Sequence, residues 1–445
     1  MAPPAARRRR RADAAHPRPI RSLVSEPGAV PPAAGGRRAL TRRILAFAGV
    51  PLLSLLAPFL FLPVLARLAG TEAWVAIALG QSVGGFAALV AGLGYTTLAP
   101  PRVALADAAA RRRIIATSVH ARLPAWVLAA TIGVIVTVLL APPSHRLEAA
   151  GMTAAMSLAA LAPTWYWIGV GRAAPILWTE VVPRTVATLL ATGVLLAGGG
   201  VIWYPVLLFV AMVAGPLGVY LRVGGRELAR ISRPEVVEVL RTHPPAVVAE
   251  TAAGAYNSLA VVLVTAAAPL AQAARYVSGD KTYRIGQYAV SAFGNALQGW
   301  VAEGLPHRPL LARRLRITVM LHAALGLCGL LAFAVLGSWL TALLFGQKVA
   351  IDELTALGFG VATLGIALGT ACGRIGLVTL GARHAFMVCV LAASAVGVVA
   401  LLVGAAVAGA PGAAWALGLT ELASGTAQGL VLLAVWRRRA VASSS

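Results

Sequence analysis

From Ile44 to Trp436 the chain is a succession of apolar runs, each long enough to cross a bilayer, cut apart by short links that carry arginine, glycine or proline. A bilayer core takes about 20 apolar residues as a helix, and these runs lack the alternating pattern of outer-membrane strands. The pattern predicts about twelve helical crossings, at 43–66, 73–98, 114–141, 149–171, 174–198, 201–221, 243–267, 283–303, 317–345, 354–380, 384–409 and 412–436. The longest polar link inside this series, 222–242, divides it into two equal sets. The expected organisation is an all-α polytopic membrane protein: a tail at 1–42, a six-helix bundle at 43–221, the connector, a second six-helix bundle at 243–436 around a central cavity, and a tail at 437–445. Within the connector, Val236, Val237, Val239 and Leu240 alternate with Glu235, Glu238 and Arg241, as a short helix lying on a membrane surface requires.

Polar side chains inside the crossings are the informative ones, because each is expensive in hydrocarbon and faces a partner or a water-filled space. In the eighth crossing Arg284, Gln287, Tyr288, Ser291, Asn295 and Gln298 recur at helical spacing and form one face. That face reads either as the wall of a cavity that meets a polar substrate or as a seam of interhelical hydrogen bonds, and the cavity is the working expectation. An external turn before this crossing places Arg284 near the outer end, where it is expected to hold an anionic group. The seventh crossing carries Glu250, Gly254 and Asn257 on one face, and the twelfth carries Glu421, Ser424, Gly425 and Gln428; both are expected to look inward. Glu180 precedes Arg184 by four residues, the favoured order for a helical ion pair, which reads either as a neutralised pair that lets the helix insert or as Arg184 facing the substrate cavity. Arg122 and Arg374 lie nearer the cytoplasmic ends of their segments, where long side chains snorkel to the interface, the favoured reading over contact with substrate. Asp352 and Glu353 read as a solvated helix start.

Composition strengthens the membrane reading, since 59% hydrophobic and 12% charged residues in a chain of 445 exceed what one soluble core can hide. Cys328, Cys372 and Cys389 all fall in apolar runs, with no metal-ligand spacing and no disulfide framework. A net charge of +23 suggests nucleic acid, but no folded basic domain is left over to bind it. The basic residues flank the crossings instead, 29 on one side, 6 on the other and 3 within segments. By the positive-inside rule both termini are expected in the cytoplasm. The first forty residues, rich in Pro, Ala and Arg, read as a disordered tail rather than a signal peptide. Two readings of that tail stay open: a headgroup-binding segment and an over-extended gene start. No Gly-rich phosphate loop for ATP is visible, so no cofactor is expected and the driving force would be an ion gradient, a substrate gradient or the membrane potential.

The stretch LAPTWYWIGVGRAAPILWTEVVPR (161–184), through Pro163, Trp165, Tyr166, Gly169 and Arg172, resembles the fourth-to-fifth crossing of bacterial polysaccharide-repeat flippases. LPVLARLAGTEAWVAIALGQSVGGFAALVAGLGYTTLAP is similar to the first two crossings of that family, with Arg67 and Gly70 at the exit turn. AARYVSGDKTYRIGQYAVSAFGNALQGWV (273–301) resembles its eighth, and GRIGLVTLGARHAF and PGAAWALGLTE fit its tenth to twelfth. The resemblance covers roughly residues 43–436, with Pro100 and Pro101 standing where acidic or small residues are commoner. It implies membership of the superfamily that also contains multidrug and toxic-compound exporters, with two bundles and an alternating-access cavity. The implied substrate is an undecaprenyl-pyrophosphate-linked glycan moved to the outer leaflet; the lipid bilayer, a polysaccharide polymerase and glycosyltransferases are the implied partners.

Such a substrate cannot cross hydrocarbon unaided, because its charge and hydroxyls would be stripped of water. Arginine forks match pyrophosphate geometry, and the polar face of the eighth crossing offers partners for sugar hydroxyls. Three rivals remain. A drug exporter would favour carboxylates such as Glu250 and Glu421 in the cavity. A membrane glycosyltransferase or polymerase needs a substantial external loop, and none here is expected to exceed about fifteen residues. A non-transporting scaffold would not need the polar face.

Overall fold

The computed structural model describes residues 61–442. The tail at 1–42 and most of the first expected crossing lie outside the described residues. After helical residues 61–68 the chain forms α1 (Gly70–Ala91), α2 (Tyr95–Leu105), α3 (Ala108–Leu140), α4 (Arg146–Ser157), α5 (Thr164–Val170), α6 (Val182–Leu196) and α7 (Trp203–Val219). Then come α8 (Arg233–Thr242), α9 (Pro244–Ala267), α10 (Leu270–Ala302), α11 (Arg308–Phe345), α12 (Glu353–Gly369) and α13 (Arg383–Ala442), with no strand among the described residues. The protein is an all-α polytopic membrane protein.

Among the described residues seven helices are long and apolar enough to cross a membrane, against about twelve expected crossings. The differences have local causes. The second crossing stops at Ala91, because Leu93 (φ 51) and Gly94 (φ 68) turn the chain into α2, which carries Pro100 and Pro101. The fourth is interrupted: a 3-10 turn at Leu158–Leu161 ends at extended Ala162, and Pro163 starts α5. The eleventh and twelfth are the two arms of α13, which folds back at Gly409 (φ 62, ψ −135), a conformation that favours glycine.

The largest correction concerns the eighth crossing. Arg275, Asp280 and Lys281 were expected in an external turn, but α10 begins at Leu270 and runs for 33 residues, about 50 Å. Asp280 is buried and pairs with Arg284 at 2.8 Å, while Lys281 Nζ donates to Gln81 Oε1 at 2.7 Å. Asp280 and Lys281, which read as part of a solvated turn, thus find partners inside the protein. Arg284 consequently sits about 21 Å along its helix rather than near the outer end.

Small residues set the packing, as expected where lipid removes most of the hydrophobic drive between helices. α1 packs against α3, α4, α9 and α10. A Cβ on Gly80 or Gly84 would meet Met152 or Met156 Cβ at 2.7 Å, so these glycines let α4 lie directly on α1. After the connector, α12 packs against α11 and the second arm of α13. There a Cβ on Gly358 would lie 2.8 Å from the Ala414 carbonyl carbon, and one on Gly425 would lie 2.7 Å from Gly365 O.

The connector contains α8, opened by a Ser232–Glu235 capping box. Glu235 takes two hydrogen bonds of 2.9 Å from Arg113 on α3, and these, with Ser232, hold its carboxyl down at about 2. Val239 packs on the cluster of Tyr95, Trp165 and Tyr220, while Val237 and Leu240 are exposed, so the helix is amphipathic as the pattern required. His243 Nδ1 lies 2.8 Å from Leu93 O and its Nε2 lies 3.4 Å from Arg102, tying the start of α9 to α2 and the turn before it. Asp107 and Asp352 cap α3 and α12, accepting from Ala110 N and Thr355 N at 2.7 Å.

Candidate functional site

Along α10 the residues on one side, among them Tyr283, Val290 and Gly294, are buried against the helices that follow. The polar face keeps its access: Gln287, Ser291 and Gln298 are half-buried, and Asn295 and Tyr288 are exposed. Arg284 belongs to the same face but is engaged by Asp280, acid first at helical spacing.

The structure brings to this face a residue that the sequence assigned to snorkelling. After α12 the chain continues as a π-helical stretch, Thr370–Leu377, which carries Arg374. Arg374 Nη2 donates to Asn295 Oδ1 and, at 3.4 Å, to Ser291 O. Its Nε is buried without a partner among the described residues. Arg374 also lines a cavity of about 340 Å³ whose polar wall includes Thr370, Ser394, Glu421, Ser424 and Gln428. Glu421, Ser424 and Gln428 therefore share one cavity, while Gly425 packs on α12. Gln428 Nε2 donates to Ser424 Oγ at 2.9 Å, leaving Oε1 buried and unpartnered among the described residues. His322 of α11 stands beside the same point: its Nε2 and Arg374 Nη2 both lie within 3.5 Å of where a Cβ on Gly294 would sit.

Other expected residues fall elsewhere. The side chains of Glu250 and Asn257 lie outside the described residues. Gly254 faces Leu89 of α1. Glu180 and Arg184 form no ion pair within 4.0 Å among the described residues. The stretch Leu177–Val181 is π-helical, and its wider turn takes the two side chains out of the register that an α-helix would give. Glu180 instead accepts from Thr164 Oγ1 at 2.7 and 2.8 Å, across the break after α4.

Arg122 does not snorkel. It is 1% exposed, and its five N–H groups meet five acceptors: Ser118 O, Ser118 Oγ, Ala160 O, Ala162 O and Tyr220 Oη. Tyr220 Oη in turn donates to Leu161 O at 2.5 Å. The carbonyls of residues 160–162 are those stranded by the break before Pro163, and in a lipid-surrounded bundle they must find internal donors. Arg122 also lies 5.0 Å from the Tyr95 ring and 5.4 Å from the Trp165 ring. Pro163, Trp165, Tyr166 and Gly169 thus build a structural corner; a Cβ on Gly169 would fall 2.6 Å from Val103 Cβ. Sequence reading missed the importance of Arg374 and His322, for which the available signals were an arginine flanked by glycine in TACGRIG and a single histidine in an apolar run.

Comparisons with known proteins agree with this architecture. An inward-facing multidrug resistance MATE family transporter of the MOP superfamily superposes with a TM-score of 0.68 at 15% identity, covering 88% of this chain and 94% of the other. An outward-facing MATE family transporter gives 0.54 at 15% identity, with 90% and 96% covered. A MOP superfamily transporter from Pyrococcus furiosus gives 0.54 at 16% identity, with 91% and 95% covered. At these identities the likeness establishes a shared fold. No curated protein matches the chain. The model of the polysaccharide biosynthesis protein family matches residues 40–298, more than half of the chain, and the chain belongs to that family.

Proposed function

We propose that this protein moves an undecaprenyl-pyrophosphate-linked oligosaccharide across the bacterial cytoplasmic membrane, the helices before and after the connector acting as two halves in alternating access. The observation that carries this reading is the accessible polar face of α10, set within a bundle of apolar helices in a member of the polysaccharide biosynthesis family. Gln287, Ser291, Asn295 and Gln298 offer hydrogen-bond partners to sugar hydroxyls at a depth where lipid offers none. The connector end, with Arg222, Arg226, Arg230, Arg233 and Arg241, is the cytoplasmic one in this reading. At the opposite end the halves meet: Trp74 Nε1 donates to Ala274 O at 3.2 Å, Trp74 lies 5.1 Å from Phe345, and Lys281 reaches Gln81. These contacts, with the higher TM-score to the inward-facing relative, support a state closed to the outside.

Glu421 in the cavity favours a second reading, export of a cationic drug. Depletion of the chain separates the two. A flippase predicts loss of surface glycan, accumulation of lipid-linked glycan on the cytoplasmic leaflet, and restoration of both by the wild-type chain. Unchanged glycan display together with increased drug susceptibility would overturn the flippase in favour of the exporter.

A further inference from the structure

Arginines within the membrane helices differ in what holds them. Arg122 spends every donor on the backbone and side chains around it. Arg284 is paired with the Asp280 carboxylate. Arg374 has no carboxylate within 4.0 Å among the described residues, and both of its acceptors, Ser291 O and Asn295 Oδ1, are neutral and taken by Nη2 alone. Its charge is therefore uncompensated by contact, and it stands where the cavity bounded by α12 and α13 meets the polar face of α10.

The contact with Asn295 adds a second donor. A guanidinium has only donors, so the Asn295 oxygen must face Arg374, and the Nδ2 amide hydrogens of this exposed side chain point elsewhere. Arg374 fixes the Asn295 amide as a donor beside its own charge. The fixed fork of the guanidinium with an adjacent amide donor is the arrangement that recognises the oxygens of a phosphate group. Gly294 gives Arg374 room to reach this face, since a Cβ there would meet Arg374 Nη2 at 3.3 Å.

We propose that Arg374 and Asn295 form an oxyanion subsite whose ligand class is a phosphate or pyrophosphate group. For the lipid that bears this group the inference rests on the proposed function; the phosphate chemistry stands on the side chains themselves. Glu421, on the second arm of α13, lines the same cavity but forms no ion pair with Arg374 among the described residues.

The test uses the full chain in phosphatidylcholine nanodiscs, with inorganic pyrophosphate and undecaprenyl pyrophosphate as separate probes. Arg374→Gln should weaken binding at least tenfold, and Arg374→Lys should weaken it several-fold because the fork is lost while the charge stays. Asn295→Asp should weaken it at least as much as Arg374→Lys, by replacing a donor with a like charge. Removal of an exposed charge elsewhere, Arg313→Gln, should change binding less than twofold. Thermal unfolding of each variant, measured in parallel, separates lost binding from lost fold. Binding of both probes assigns the subsite to the phosphate chemistry itself, and binding of the lipid probe alone assigns it to a lipid headgroup. A wild-type chain that binds neither probe, or Arg374→Gln and Arg374→Lys variants that bind as the wild type does, would overturn the subsite. Surface glycan reports on the flippase separately: display that depends on the chain but survives Arg374→Gln with unchanged binding sinks the subsite alone, whereas display independent of the chain sinks the flippase alone.

Discussion

Arg122 and Arg374 carry the same group inside the same kind of helical packing, and the fold treats them oppositely. Around Arg122 the chain supplies five acceptors, two of them carbonyls of the broken stretch between α4 and α5. Around Arg374 it supplies two, on one face of α10, and leaves Nε without a partner among the described residues. The first arginine is consumed in holding backbone together where a helix is interrupted. The second is positioned and left chemically open. An arginine at membrane depth thus speaks for function only once its donors are counted.

The largest expected effect falls on the saturated side. Arg122→Ala strands Ala160 O and Ala162 O, each at about 1–3 kcal/mol, so the thermal midpoint of the purified protein and its abundance in the membrane should both drop steeply. Arg374→Ala should leave both near wild type, at a cost of about 1 kcal/mol, while abolishing pyrophosphate binding. Equal destabilisation by the two changes would erase the contrast.

Glycine substitutions sharpen it next. Gly169→Ala forces a Cβ to within 2.8 Å of Pro100 O and 2.6 Å of Val103 Cβ, a backbone-anchored clash worth about 1–3 kcal/mol. Gly294→Ala meets the ends of the Thr370, Arg374 and His322 side chains at 2.8, 3.3 and 3.5 Å. It should lower the unfolding midpoint less and ligand binding more. The reverse ranking in a paired unfolding and binding experiment would contradict the assignment of the two corners.

Tyr220→Phe removes the hydroxyl that accepts from Arg122 and donates to Leu161 O, both at 2.5 Å. A loss of about 1–2 kcal/mol is expected, with Phe keeping the ring packing on Tyr95 and Trp165. No change in the unfolding midpoint would show that water replaces the hydroxyl.

The smallest effect concerns the connector. The Glu235 carboxyl is held at about 2, below its ordinary 4.5, first by Arg113 and then by Ser232. A depressed carboxyl stabilises the fold above its unfolded value and loses that contribution as pH falls toward 2. Because the pair is solvent-exposed and screened by water, its contribution should be small. Glu235→Gln should flatten the dependence of the unfolding midpoint between pH 5 and pH 3 while leaving ligand binding unchanged; an identical profile in variant and wild type would show that the pair adds nothing.

The apolar runs, the amphipathic helix at 233–242 and the Asp352 cap were legible because each depends on neighbours within a few residues. The site was legible only in part. The polar face of α10 followed from helical spacing, but its start did not, since Lys281 is accommodated inside the bundle by donating to Gln81, 200 residues away. Glu180 and Arg184 misled because a π-turn changes the angle per residue that the spacing rule assumes.

What the sequence determined by itself, then, is that this chain crosses a membrane many times as helices and which helix carries the polar face. Those outcomes are enforced locally, by the backbone's need for hydrogen bonds in lipid and by the helical period. Which charges are spent and which stay available was decided by tertiary structure alone. The acceptors that saturate Arg122 come from residues up to 98 positions away, and the amide that Arg374 orients lies 79 positions back along the chain. No spacing rule reaches across such distances, because the pairing exists only once the helices have packed.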